Sequence, residues 1–168
     1  PTPNWSGTHT LAVIVDDQGN SGAGGALTAT DTSVTIAVSA QNDAPSITTA
    51  TTTFTTSEDN SVVIAGVSVA DVDAAANDIQ VVLAVSNGTL TVLDTVAAGL
   101  TATEITNNSS GSVTLTGTVT QINNTLADIA GLTYDPTANW SGTDTLTVTV
   151  DDQGNSGAGG ALTATDKP

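Results

Sequence analysis

At 168 residues the chain is long enough to bury one sizeable core plus a fragment. It carries one Lys or Arg against 17 acidic residues, a net charge of −16, which repels nucleic acid and anionic membrane surfaces and attracts cations. The absence of Cys excludes disulfides and thiolate metal sites, so stability must come from the core or from hard metal ions.

The chain opens on a segment that it later repeats. Residues 1–31 return as 136–166, an offset of 135, with four differences: Pro3/Ala138, His9/Asp144, Ala12/Thr147 and Ile14/Thr149. A duplication this close, spaced at the length of one ordinary domain, implies a tandem array of which about one and a quarter repeats are present. Two of the differences, at 12/147 and 14/149, share a parity opposite to Leu11, Val13 and Val15. The unchanged parity is therefore expected to face inward.

Period-2 alternation predicts half-buried strands at Thr8–Val15, Val34–Val38, Ile79–Val85, Val113–Val119 and Thr143–Val150, with Thr outward. The Gly-rich stretch Gly19–Gly25 and its copy Gly154–Gly160 read as loops between strands. No Lys follows GNSGAGG, which argues against a phosphate loop. Asn42-Asp43-Ala44-Pro45 reads as the junction between two strand sets. Ser86-Asn87-Gly88-Thr89 predicts a tight hairpin with a type I′ turn. From Thr120 to Gly131, Ile122, Leu126 and Ile129 fall at helical spacing, which predicts a short helix capped by Thr120 and stopped by Gly131. The whole is an all-β antiparallel sandwich with one short helix. Its expected core includes Val81, Leu83, Val85, Val113, Leu115, Tyr134, Trp140, Leu146, Val148 and Val150.

The order of motifs resembles a cadherin-like, Ig-like β-sandwich repeat of large bacterial surface adhesins and filament proteins. Asn42-Asp43-Ala44-Pro45 resembles the inter-domain linker, Ser57-Glu58-Asp59 the early Glu motif, and Asp71-Val72-Asp73 the DxD motif. Asp16-Asp17-Gln18-Gly19 and Asp151-Asp152-Gln153-Gly154 resemble the element ahead of the last strands. The stretch 132–154 resembles the bacterial series of Y-x-P, N-aromatic-x-G and D-x-G. The resemblance implies that residues 1–43 close one repeat and that 44–168 form the next, lacking its last strand. It also implies calcium at the junction, held by Asn42, Asp43, Asp71, Asp73 and Asp152, with Glu58 and Asp17 serving neighbouring junctions. Calcium takes about six to eight hard oxygen ligands, which carboxylates and carbonyls on loops supply.

Enzymatic chemistry is not expected. The lone His9 is Asp144 in the copy, and with one Lys and no Cys the usual nucleophile and base sets cannot be built. A paired-carboxylate hydrolase would also lack an aromatic sugar platform. The expectation is an extracellular structural repeat, in an adhesin stalk or secreted filament, whose partners are neighbouring repeats or identical subunits head to tail. No run reaches the ~18 apolar residues of a membrane span. Three alternatives remain: a filament in which subunits exchange strands such as Thr32–Ala40, a ligand-binding tip module, and a carbohydrate- or ice-binding Thr array along Thr48–Thr56.

Overall fold

Alternating Val, Leu and Thr suit a pleated surface with one face buried, and the chain folds mostly into strands. The computed structural model describes residues 2–20 and 22–167, with the backbone alone at 30–33. Two compact units result, Pro1–Ala40 and Gln41–Pro168.

The first unit is an antiparallel ribbon of β1 (Gly7–Asp16) and β2 (Thr28–Val38), with a register shift between Leu11 and Val13. Leu11, Val13, Val15, Val34 and Ile36 all stay exposed.

The second unit contains β3 (Ser46–Thr49), β4 (Val62–Val63), β5 (Val67–Ala70), β6 (Asp78–Ala84), β7 (Gly88–Val92), β8 (Ile105–Thr106) and β9 (Ser112–Thr118). It continues with α1 (Val119–Ala127), β10 (Leu132–Pro136), β11 (Thr147–Asp151) and β12 (Thr163–Asp166). A five-stranded sheet in the order β12-β11-β6-β9-β8 faces a three-stranded sheet β4-β10-β7 and a two-stranded sheet β3-β5. Val81, Leu83, Val113, Leu115, Val148 and Val150 from the first sheet meet Leu90, Val92, Leu132 and Tyr134 from the second in one core. This is an all-β sandwich with one helix. The parity read from the repeated segment holds: Val148 and Val150 are buried, while Thr147 and Thr149 on the other face are not.

Both copies of the repeated segment fold into the same hairpin. Val13–Asp16 pairs with Thr28–Asp31 in the first unit, and Val148–Asp151 pairs with Thr163–Asp166 in the second, residue for equivalent residue. Their environments differ sharply. Val15 is 61% exposed and its counterpart Val150 is 0% exposed, β11 having β6 beside it and a facing sheet over it.

Several expectations are corrected. The segment Ser86–Thr89 is not a hairpin turn, since β6 and β7 lie in different sheets and neither Asn87 nor Gly88 has positive φ. Gly88 is required for another reason: a Cβ there would stand 2.4 Å from the Asp135 carbonyl oxygen and 2.5 Å from the Tyr134 ring. The chain crosses here from one sheet to the other over Tyr134.

The helix begins and ends earlier than its spacing suggested. Thr118 is the N-cap, in a capping box with Gln121. The C-cap Asp128 is extended, which leaves Ile129 beyond the helix and 90% exposed. Gly131 instead permits close approach, because a Cβ there would overlap the Thr125 carbonyl. Strand β11 starts at Thr147 rather than Thr143. Trp140 is half-buried rather than in the core, its indole lying against Gly142, and Val85 and Leu146 only flank the core.

Candidate metal centre

Three segments meet at one end of the second unit: its opening residues Gln41–Asp43, the turn Asp71–Ala74 after β5, and the Gly-rich loop between β11 and β12. Glycine lets the first lie on the third. Gln41 and Ala158 form a parallel bridge, the Asn42 N–H donates to the Ala158 carbonyl at 3.0 Å, and the Gln41 side-chain amide donates to the same carbonyl. At Gly157 (φ +112) a Cβ would sit 2.5 Å from the Asn42 nitrogen. The loop is thus a docking cradle for the opening segment, beyond the strand connector that composition suggested.

Asp152 organises the loop. It is fully buried, and its Oδ1 accepts from the Gly154 and Leu162 N–H groups, both at 2.8 Å. Its Oδ2 accepts from Asn42 Nδ2 at 2.6 Å. Burial pushes the Asp152 carboxyl up, but the Leu162 and Gly154 N–H groups and the Asn42 amide outweigh it and hold the group below the usual carboxylate range. In the first unit Asp17 Oδ1 accepts from Gly19 and Leu27 in the same way, and these N–H groups hold its carboxyl low as well.

Asn42 is 5% exposed. Its Nδ2 also donates to the Gly160 carbonyl at 2.8 Å. Both partners of that nitrogen are pure acceptors, which fixes the amide orientation and leaves Oδ1 as the other terminus. Asn42 Oδ1 is buried without a partner among the described residues, and so is Asp71 Oδ2. The other oxygen of Asp71 accepts from the Asp73 and Ala74 N–H groups at 2.8 and 3.2 Å, folding the DxD segment into a tight turn. Asp73 Oδ2 accepts from the Asp43 N–H at 2.6 Å, and the Ser156 hydroxyl donates to the Asp73 carbonyl at 2.8 Å. Asn42, Asp43, Asp71, Asp73 and Asp152 are therefore tied into one hydrogen-bonded end.

The arrangement is not a ring of carboxylates. Among the described residues no three His, Cys, Asp or Glu side chains gather closely enough to hold a metal by themselves. Asp152 is already committed to three donors. Glu58 lies elsewhere, lining a cavity with Tyr134 and Trp140, and Asp17 belongs to the first unit. The oxygens left for a cation are Asn42 Oδ1 and Asp71 Oδ2, with the carboxylates of Asp43 and Asp73 beside them in sequence.

The sequence motifs do not by themselves single out Gln41, Ser156, Gly157 or Gly159. A usable signal exists: from Asp16–Asp31 to Asp151–Asp166 nothing differs between the two copies, whereas the strand before it carries three of the four changes. No family model, no curated protein and no solved structure matches this chain.

Proposed function

We propose that the chain is a structural repeat of an extracellular adhesin stalk or surface filament, braced by calcium where the second unit begins. The observation that carries the calcium reading is the pair of buried acceptors, Asn42 Oδ1 and Asp71 Oδ2, that face no donor. A buried polar atom left unpaired costs about 1–3 kcal/mol, so two at one end of a sandwich call for a bound species. Water and a cation both satisfy lone pairs. The balance of 17 acidic residues against one basic favours the cation, and an all-oxygen donor set on loops favours calcium.

Bound calcium supplies charge neutralisation and a fixed coordination point. This chain's residues do the rest: Asp152 orients Asn42, Asp71 shapes its own turn, and the glycine cradle holds Gln41–Asp43 in place. Support for a repeat comes from the two copies of one hairpin in one register. The Thr-array alternative has less behind it, since the strand there covers only Ser46–Thr49 and residues 51–57 form none.

Calorimetric titration of the 168-residue chain tests the calcium reading. Saturable binding with Kd about 10⁻⁴ to 10⁻³ M is expected, as in other extracellular calcium modules. Asp71→Asn and Asn42→Ala are each expected to weaken it at least about tenfold, which is about 1.4 kcal/mol. No binding, or binding that neither substitution alters, would overturn the reading.

A further inference from the structure

Strands β5 and β7 each end a sheet of the second unit, in the orders β3-β5 and β4-β10-β7. A strand in that position turns one row of main-chain N–H and C=O groups away from its partner, and an uncovered row is a template for another strand. On both strands, one residue has its two outward groups taken by a single side-chain amide. The Val69 N–H donates to Asn123 Oδ1 at 2.9 Å, and Asn123 Nδ2 donates to the Val69 carbonyl at 2.8 Å. The Val92 N–H donates to Asn108 Oδ1 at 2.8 Å, and Asn108 Nδ2 donates to the Val92 carbonyl at 2.8 Å.

A primary amide carries a donor and an acceptor side by side, so it exchanges two hydrogen bonds with one residue, as the opposite residue of an antiparallel ladder does. It differs in having no main chain that carries the ladder onward. Pairing is satisfied at that point and goes no further.

The two amides arrive by different routes. Asn123 stands within α1, which packs along β5, although Asn is a poor helix former. Asn108 lies in the bent connection between β8 and β9, flanked by Asn107 and Ser109, both in the left-handed region at φ +56 and +60. That backbone is costly for residues with side chains, and it is held where Asn108 meets β7. The Ser110 carbonyl accepts from the Leu90 N–H at 2.8 Å, and the Thr91 and Ser109 hydroxyls are hydrogen-bonded at 3.1 Å. A helix and a bent connection thus present the same group to two separate edges.

We propose that Asn108 and Asn123 are edge clasps, which close the outer edges of β7 and β5 to an incoming strand and so exclude sideways pairing with a second copy of this chain. The two strands, GTLTV and VSVA, carry neither charge nor Pro, the residues that commonly blunt an edge. Their uncharged, Val-containing composition suits pairing with their own kind. The amides therefore do what charge or Pro does elsewhere. Both clasps lie within residues 69–123, involve neither end of the chain and need no calcium.

Amide hydrogen exchange and sedimentation test this together. In the parent chain the Val69 and Val92 N–H groups, though turned away from their partner strands, should be protected as well as those of β6. Asn123→Ala, which favours the helix, should speed exchange at Val69 at least tenfold and several-fold more than at Val92. Asn108→Ala should do the reverse. The Asn108→Ala/Asn123→Ala chain should keep the circular dichroism spectrum of the parent and associate at least several-fold more strongly at equal concentration. Rapid exchange of either N–H in the parent chain would overturn the proposal, whatever the variants do. So would a folded double variant that associates no more than the parent.

Discussion

Asp152 accepts three hydrogen bonds inside the fold, and its chemistry predicts what a one-atom change does. Asparagine at 152 keeps an oxygen for the Gly154 and Leu162 N–H groups but turns an NH₂ toward the NH₂ of Asn42. Asp152→Asn should cost about 1–3 kcal/mol in a denaturant melt. Because the folded carboxyl lies below its ordinary 3.8, the stability it contributes is complete above that pH and drains away as pH falls further through the folded value. The acid limb of a Tm-against-pH curve should therefore be shallower in Asp152→Asn than in the parent chain. Tyr134 acts at the alkaline end: burial first, then the Asp144 charge and its hydrogen bond, push the phenol up to about 12 from 10.0. Its contribution holds below pH 10.0 and is lost as pH rises toward 12. Tyr134→Phe should flatten that loss, read in the same melts. Gly157→Ala combines positive φ with a Cβ 2.5 Å from the Asn42 nitrogen, and should cost more than about 1 kcal/mol.

At the scale of elements, the helix separates what pattern reveals from what it conceals. Ile122 and Leu126 are buried as their spacing implies, yet Ile129, next in that series, is outside the helix. Thr118 wins the cap over Thr120 because Gln121 stands three residues after it and closes a capping box. Thr118→Ala should cost about 1 kcal/mol, with Thr120→Ala near zero, in urea melts read by circular dichroism. The strands and their inward face were legible because a sandwich enforces alternation and two changes in the repeated segment, at 12/147 and 14/149, share the outer face. Asn87-Gly88 misled because the same dipeptide serves a turn or a close approach, and the Tyr134 ring that demands the glycine is 46 residues away in sequence. The carboxylates at the candidate centre were legible as motifs. Their division into committed and orphaned oxygens was not, since it depends on where Gly154, Leu162 and Gly160 present their backbone groups.

At the scale of the molecule, one hairpin appears twice, once with a core behind it and once without. Val15 and Val150 sit in the same register, and Val150 owes its burial to β6 and the facing sheet. A chain of net charge −16 also repels itself, and the proposed cation among its acidic loops would relieve that locally. Calorimetric Tm, recorded with and without calcium at constant ionic strength, tests the calcium-braced reading most directly. At ten times Kd, calcium should stabilise the folded chain by about 1.4 kcal/mol, a rise of a few degrees, and Asn42→Ala together with Asp71→Asn should abolish the rise. A Tm indifferent to calcium, or a rise that persists in the double variant, would contradict it.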